Sequence, residues 1–276
     1  MTQQLSKKRV VFFISTGRCG TQFFADQLAA NYSDLATVVH EPFHQQYTPL
    51  RHFDAYHRGK SAELTSHVER HIDFIKETLK SKHYIETGWP AYGVLPHLIA
   101  TFADRVQLVH LYRHPLRVAA SLTTHNVYSR AGWSEWMSIS PAQYGVVQDH
   151  LTGEPWNRLS EFEKCLFWWT ELNHYAIRLQ ESFPAVPWLS LRFEDIFSDD
   201  GTSELQKLVR YLDFPEKDGF VHSLQQKTDR FSSKTVKQLN VDAIANYPAA
   251  VQMMNRLGYD ATESVSQEIA TRYKMG

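Results

Sequence analysis

Residues 9–22 read RVVFFISTGRCGTQ, a short apolar run that ends in a loop punctuated by two glycines. The pattern that follows, with Phe24 and Leu28 on one helical face, predicts a helix. A strand, a tight loop and a helix in this order commonly bind anions, because the loop amides and the positive helix end point at the ligand. We therefore expect residues 17–22 to bind a phosphate or sulfate group.

This loop lacks the residues of an ATP-binding loop. A Walker A loop ends in Gly-Lys-Ser/Thr, in which the Lys binds the β- and γ-phosphates and the hydroxyl binds Mg²⁺. Here Gly20 is followed by Thr21 and Gln22, and the cation, Arg18, precedes the glycine. The segment predicts an anion cradle without the equipment of a kinase or an ATPase.

The composition limits the class of protein. The 276 residues carry a formal net charge of −1, which suits one large α/β domain and gives no basic surface for nucleic acid. Cys19 and Cys165 are the two cysteines, too few for a disulfide framework. The apolar run 10–14 is too short for a signal peptide or a membrane span. We expect a single domain over residues 1–276, located in the cytoplasm, with no nucleic-acid or membrane partner and a homodimer as the candidate assembly.

Short β-rich runs alternate with helical patterns along the chain. This alternation predicts a three-layer α/β fold, with a mostly parallel sheet covered by helices on both faces. Together with the glycine loop after the first strand, this arrangement resembles the fold of P-loop NTPases. The predicted strands are Val10–Ser15, Ala36–His40, Tyr84–Glu86, Val106–Tyr112 and Val186–Phe193. The predicted helices are Gly20–Asn31, Ser61–Ser81, Tyr92–Phe102, Leu116–His125, Ser160–Phe183, Thr202–Leu212 and Asp242–Leu257. Ligands of such sheets bind beyond the carboxyl ends of the strands.

A second candidate anion site follows the fourth predicted strand. Arg113 ends this strand, Pro115 suits the first turn of a helix, and Ser121 lies nearly two turns into it. The guanidinium fork of Arg113 and the hydroxyl of Ser121 can converge on a phosphate. In the alternative interpretation, Arg113 pairs with a carboxylate and Ser121 only packs.

These segments together resemble the sulfotransferases that use 3′-phosphoadenosine 5′-phosphosulfate (PAPS). Gly17–Thr21 is similar to the 5′-phosphosulfate loop of that family, Pro-Lys/Arg-Ser-Gly-Thr-Thr/Ser. Arg113 and Ser121, eight residues apart, resemble its 3′-phosphate motif. Leu191–Ile196 resembles its Arg-Tyr-Glu-Asp-Leu segment, and Phe167–Asn173 resembles the helix before that segment.

The resemblance implies an enzyme that moves a sulfuryl group from PAPS to an acceptor hydroxyl on a small molecule, a carbohydrate or a peptide. The product nucleotide is 3′-phosphoadenosine 5′-phosphate, and no metal is expected. The implied nucleotide-binding residues are Arg18, Cys19, Gly20, Thr21, Gln22, Arg113, Ser121, Phe193, Arg230, Ser232 and Lys234. Cys19 stands where the family has Ser, and a thiol at a helix N-terminus is expected to have a lowered pKa.

The general base is assigned from the same resemblance. Cytosolic members use the His of a Lys-Thr-His-x-x-Pro segment, and here Gly88 stands at that position. Golgi-type and tyrosylprotein-type members use a Glu about twenty residues beyond the basic residue of the loop. Glu41 lies 23 residues beyond Arg18, so we expect Glu41 to be the base and Arg18 the cation that stabilises the leaving group. Glu86 is the reserve candidate.

The residues that contact the acceptor are expected near the ends of two strands. Trp89 and Phe43 follow predicted strands and are expected, with Glu86, to contact the acceptor.

Two other classes of protein stay open as alternatives. A non-catalytic adenine-nucleotide-binding protein would have the same nucleotide-binding residues. A zinc hydrolase would use His40, Glu41 and His44, which match the string His-Glu-x-x-His. That chemistry needs both histidines on one helical face, and Pro42 inside the string opposes a helix.

Overall fold

A computed structural model describes residues 7–42, 66–88, 90–129, 139–140, 156–226, 239–260 and 265–272. Its sheet has five parallel strands in the order β2-β3-β1-β4-β5. The strands are β1 Val10–Ile14, β2 Ala36–His40, β3 His83–Thr87, β4 Val106–Tyr112 and β5 Trp188–Arg192. The five predicted strands are thus confirmed, with small differences at their ends.

The segment at residues 10–14 forms the centre of the sheet. Val10 pairs in register with Tyr84 of β3 on one side and with Val106 of β4 on the other. All five residues of β1 are buried. A strand covered on both faces needs apolar side chains on both, which explains its continuous apolar run.

The helices connect and follow these strands. They are α1 Thr21–Tyr32, α2 Ser66–Thr78, α3 Leu95–Phe102, α4 Pro115–Thr123, α5 Glu161–Ser182, α6 Phe193–Ile196, α7 Gly201–Leu212, α8 Asp218–Val221, α9 Pro248–Arg256 and α10 Ser266–Arg272. Short 3₁₀ turns lie at Pro90–Val94, Ala103–Arg105, Trp156–Arg158, Ser223–Gln226 and Val241–Asn246. Within the described segments, none of these helices has the length and apolar character needed to cross a bilayer.

Helices lie on both faces of the sheet. Phe13 of β1 packs against Phe24 of α1, with 5.4 Å between ring centroids. Its neighbour Phe12 points to the opposite face, where it meets Tyr84, which in turn meets His71 of α2. Successive side chains of a strand alternate between faces, so α1 and α2 cover opposite sides. The expected three-layer α/β architecture is confirmed.

Elements near residues 92, 193 and 248 differ from the sequence prediction. The helix predicted over Tyr92–Phe102 begins as a 3₁₀ turn, and α3 starts at Leu95. β5 ends at Arg192, and Phe193 begins the short helix α6 instead of closing the strand. The helix predicted over Asp242–Leu257 is divided into a 3₁₀ turn and α9. Pro248 causes the division, because its ring holds the preceding Tyr247 out of the helical region, at φ −117° and ψ 79°.

The strand order places a crevice between β1 and β4. The chain leaves β1 through α1 toward β2 at one edge, and it leaves β4 through α4 and α5 toward β5 at the other. Neighbouring strands whose connections diverge leave an opening at their carboxyl ends. The loop after β1 and Arg113 after β4 both border this opening.

Candidate active site

The loop between β1 and α1 has the backbone shape of an anion cradle. Gly17, Arg18 and Gly20 have positive φ angles of 74°, 59° and 85°. Gly20 occupies the N-cap position of α1 without a side-chain cap, so the first-turn amides of the helix point into the loop. A Cβ at residue 20 would lie 3.3 Å from Phe197 and 3.4 Å from Phe193, so Gly20 also provides close packing.

Buried polar contacts fix the start of this loop. The Gly17 amide donates to Ser15 Oγ at 3.0 Å, and Thr16 Oγ1 donates to the Gly17 carbonyl at 3.1 Å. The Cys19 thiol donates to the same carbonyl at 3.1 Å. Trp168 of α5 donates its indole N–H to the Thr16 carbonyl at 2.9 Å. The loop shape is therefore set by its own side chains and by one helix behind the sheet.

Cys19 differs from the expectation for a thiol at a helix start. Its side chain is fully buried, and burial raises the pKa of the thiol to about 11. The nearby charge of Arg113 opposes this rise but does not outweigh it. The expected lowering of the Cys19 pKa is thus wrong, because burial of the thiolate raises the pKa more than the Thr16 hydrogen bond and the Arg113 charge lower it.

Arg18 and Arg113 bring the two expected phosphate motifs into direct contact. Arg18 Nε donates to Ser121 Oγ of α4 at 2.9 Å. An Arg113 guanidinium nitrogen donates to the Arg18 carbonyl at 3.0 Å. The hydroxyl hydrogen of Ser121 can still be donated to another acceptor while its oxygen accepts from Arg18. Two guanidinium groups and a hydroxyl therefore meet at the crevice between β1 and β4.

Arg113 is held in place by aromatic residues. Its guanidinium carbon lies 4.1 Å from the centroid of the Phe193 ring, a cation–π arrangement. Its carbonyl accepts the indole N–H of Trp169 at 2.8 Å. Arg113 is 6% exposed, so its position is defined by packing on several sides.

Glu41 lies at the carboxyl end of β2, over the backbone of Gly88. Its amide donates to the Thr87 carbonyl at 2.9 Å, and its φ is 44°. A Cβ at residue 88, whose φ is 133°, would lie 2.3 Å from Glu41 Cγ. The Glu41 side chain therefore uses the space that a side chain at residue 88 would need, and glycine is required there.

Burial raises the pKa of Glu41 from its ordinary value of 4.5 to about 7, although the positive charge of Arg18 lowers it. His40, the last residue of β2, places Nδ1 2.9 Å from Thr87 Oγ1 and Nε2 3.9 Å from Glu41 Oε1. A carboxylate with a pKa near neutrality and a cation within electrostatic reach can accept a proton at physiological pH.

The solved structures that are similar to this chain include two sulfotransferase domains. The sulfotransferase domain from the curacin biosynthetic pathway is 13% identical, with a TM-score of 0.51, over 98% of this chain and 99% of that chain. The sulfotransferase domain from the olefin synthase of Synechococcus PCC 7002 is 15% identical, with a TM-score of 0.51, over 94% and 98% of the two chains. The chain has the sulfotransferase fold. No protein-family model and no curated protein matches the sequence.

Two expected site residues in this sulfotransferase fold have side chains that contact residues outside the loop between β1 and α1. The Gln22 side chain is exposed on α1 and donates to Asp26 at 2.8 Å. Glu86 is buried on the α2 face of the sheet, where Tyr84 and His71 contact the same oxygen at 2.8 and 2.9 Å. Phe43, His44, Trp89, Arg230, Ser232 and Lys234 lie outside the described residues.

The position of His40 argues against the zinc hydrolase alternative. This residue closes a parallel strand and is not on a helix, so a helical His-Glu-x-x-His arrangement does not begin there. Within the described parts of the chain, no group of three or more His, Cys, Asp or Glu side chains has the arrangement of a metal site.

Three further residues contribute to the site and were not assigned from sequence. Trp168 and Trp169 each hold a loop carbonyl, and Glu194 accepts the amide of His114, next to Arg113. The Trp pair and Glu194 lie inside segments that resemble the family, which is the signal that could have identified them. Their partners are distant in sequence, so the contacts themselves could not be read from the pattern.

Proposed function

We propose that this protein transfers a sulfuryl group from PAPS to an acceptor hydroxyl. The observation that carries the proposal is the position of Arg18, which bonds Ser121 at 2.9 Å and whose charge also acts on Glu41. One cation thus lies between a candidate nucleotide pocket and a candidate base. The names of the two similar structures favour the same reaction class.

The donor set suits a nucleotide phosphorylated at both ends of its ribose. The backbone amides of the loop that ends at Gln22 would hold the 5′-phosphosulfate, and Arg113 and Ser121 would hold the 3′-phosphate. The half-buried Phe193 ring next to Arg113 would contact the nucleoside. When bound, PAPS supplies a sulfuryl group activated by a phosphate leaving group. Arg230, Ser232 and Lys234 stay proposed ligands from the sequence.

Glu41 is the proposed base. With a pKa of about 7, a substantial fraction of Glu41 is ionised at neutral pH, and its carboxylate is a stronger base than an exposed one. Arg18 would stabilise negative charge that develops on the departing phosphate. Glu86 is the weaker candidate, because Tyr84 and His71 already engage its carboxylate.

The proposal fits the departures from the cytosolic pattern. In that pattern a His at position 88 would be the base, but a side chain there would collide with Glu41. Gly88 therefore leaves room for the Glu41 side chain, and Glu41 can take the place of the missing His as the base. The cytoplasmic setting, the single domain and the homodimer remain predictions from the sequence.

Calorimetry with two nucleotides tests the nucleotide site. Wild-type protein should bind adenosine 3′,5′-bisphosphate more tightly than adenosine 5′-phosphate. Arg113→Ala should weaken the bisphosphate by about tenfold or more, consistent with loss of a charged hydrogen bond, and the monophosphate much less. Arg210→Ala, which removes an exposed arginine of α7, is the matched control. Equal losses for both nucleotides in Arg113→Ala would contradict the assignment.

Transfer assays over a panel of hydroxyl acceptors test the reaction. Glu41→Gln should keep bisphosphate binding and lose most turnover, because it cannot take the proton. In wild-type protein, kcat/KM should rise with pH through an apparent pKa of about 7. Bisphosphate binding without transfer to any acceptor would favour the non-catalytic nucleotide-binding alternative.

A further inference from the structure

The carboxylate of Glu194, the second residue of α6, is surrounded by donors from distant segments. The His114 amide donates to its Oε1 at 3.1 Å, and an Arg117 guanidinium nitrogen donates to the same oxygen at 3.0 Å. The Tyr259 hydroxyl donates to Oε2 at 2.9 Å. The Glu194 side chain is only 16% exposed. One carboxylate therefore connects α6, the turn after β4, and a residue 65 positions later in the chain.

The contacts from His114 and Arg117 support the turn between β4 and α4, which joins the candidate phosphate ligands Arg113 and Ser121. His114 directly follows Arg113 and is the N-cap of α4, where its ring nitrogen accepts the Leu116 amide at 3.3 Å. Ser121 lies further along the same helix. The His114 amide lies in the turn between Arg113 and Ser121, so the hydrogen bond from this amide to Glu194 supports the turn that joins the two candidate ligands.

The same short helix contacts Arg113 from a second side. Phe193, next to Glu194, lies under the Arg113 guanidinium at 4.1 Å. The α6 helix therefore supports the direction of the guanidinium through Phe193 and the position of its backbone through Glu194 and His114. Both contacts depend on the chain entering a helix at residue 193 instead of continuing as a strand.

Residues from the last described segments complete the support. Tyr259 packs edge-on against the His114 ring, with 5.3 Å between centroids, and the Arg192 guanidinium carbon lies over the Tyr259 ring at 4.1 Å from its centroid. Glu268 of α10 accepts from Arg117 Nε at 3.1 Å. Arg117 is thus held between Glu194 and Glu268, while Tyr259 holds Glu194 and His114 together.

The negative charge of Glu194 does not by itself favour binding of an anion in the neighbouring pocket. A carboxylate near a phosphate pocket repels the ligand, although Arg117 and Arg192, which lie 3.0 and 3.7 Å from its oxygens, compensate its charge. The hydrogen bonds from His114, Tyr259 and Arg117 keep the pKa of Glu194 below its ordinary value in spite of burial, so the group stays ionised. Any contribution of Glu194 to anion binding would then come from the geometry that it imposes.

We propose that Glu194 is a positioning residue for recognition of the 3′-phosphate, with Tyr259 as its partner from the C-terminal part of the chain. It acts by fixing the His114 turn and so the separation of Arg113 and Ser121. This inference rests on the proposed function, because it assigns the support of the same nucleotide pocket.

The test is the ratio of affinities for adenosine 3′,5′-bisphosphate and adenosine 5′-phosphate, measured by calorimetry. Glu194→Gln should weaken the bisphosphate by about tenfold and the monophosphate by less than about twofold, so that the ratio falls. Tyr259→Phe should lower the ratio in the same direction by a smaller factor, because it removes one donor from the carboxylate. A role limited to general stability would lower the melting temperature and leave the ratio unchanged.

The control is Glu181→Gln, which removes an exposed carboxylate paired with Arg256, and it should keep the wild-type ratio. If Glu194→Gln does not fold, Tyr259→Phe decides, since it keeps the ring that packs on His114. A wild-type ratio in Tyr259→Phe and in every folded Glu194 variant would overturn the inference while leaving the proposed function intact. Failure of wild-type protein to prefer the bisphosphate would overturn both.

Discussion

At the scale of single residues, Glu41 illustrates the competition between burial and charge. Burial raises its pKa to about 7, because the positive charge of Arg18 lowers the pKa by less than burial raises it. Between pH 4.5 and 7 the folded protein therefore holds a proton that the unfolded chain has released. More protons bound in the folded state mean that the free energy of unfolding falls as pH rises through this window.

Glu41→Gln should therefore become more stabilising, relative to wild type, as pH rises. A shift from 4.5 to about 7 corresponds to about 3 kcal/mol at pH 8, and the difference should nearly vanish at pH 4. Urea unfolding of both proteins at pH 5 and pH 8 measures this change, and Glu181→Gln serves as an exposed control. A difference that is the same at both pH values would show that burial does not raise this pKa.

At the scale of one element, the long helix α5 supports both the loop after β1 and the turn after β4 through hydrogen bonds. Trp168 and Trp169 are consecutive and reach the Thr16 and Arg113 carbonyls, at the ends of β1 and β4. The helix begins with a capping box, in which the Glu163 amide donates to Ser160 Oγ at 3.3 Å and the Ser160 amide donates to Glu163 Oε2 at 2.8 Å. The cap stabilises the helix, and the indoles position the loops.

We expect these two roles to separate on mutation. Ser160→Ala should lower the free energy of unfolding by about 1 kcal/mol and leave bisphosphate affinity unchanged, because the cap is remote from the indoles. Trp169→Phe should weaken bisphosphate binding as well as stability, because the buried Arg113 carbonyl loses its indole donor. Chemical denaturation and calorimetry on the same preparations check both outcomes. Equal effects of the two variants on affinity would contradict this division.

At the scale of the whole molecule, buried histidines set the response to acid. Burial lowers the pKa values of His83, His110 and His114 to about 4. Below pH 6.5 the unfolded chain takes up protons on these residues and the folded protein does not. The stabilisation that these three histidines contribute is therefore fully present above pH 6.5 and is lost as pH falls toward 4. Because three histidines act together, this loss exceeds the stabilisation gained from Glu41 over the same range.

The melting temperature should consequently drop by roughly 10 °C between pH 7 and pH 5. His110→Gln should reduce this drop, because glutamine can still donate to Asn173 but does not titrate. Thermal unfolding at half-unit pH steps measures both curves. Parallel curves for the two proteins would exclude His110 as a contributor.

The local pattern was sufficient for the five strands and the longer helices, but it did not predict the short helices α6, α8 and α10. Residues 10–14 are apolar on both faces and end in a glycine loop, and these properties specify a central strand and a loop that turns into a helix. The other strands were likewise short runs bounded by turn residues. The boundary at Phe193 could not be read in the same way, since an aromatic residue after a strand is compatible with more strand.

The site itself depends on the order of the strands in space. Arg18 and Ser121 are 103 residues apart, and they meet because β1 and β4 are neighbours in the sheet. Glu41 covers Gly88 because β2 lies beside β3. Burial, which reversed the expectation for Cys19, is also a property of the assembled core. Backbone preference and apolar periodicity act over a few residues, whereas distances and desolvation depend on the packing of segments far apart in the chain.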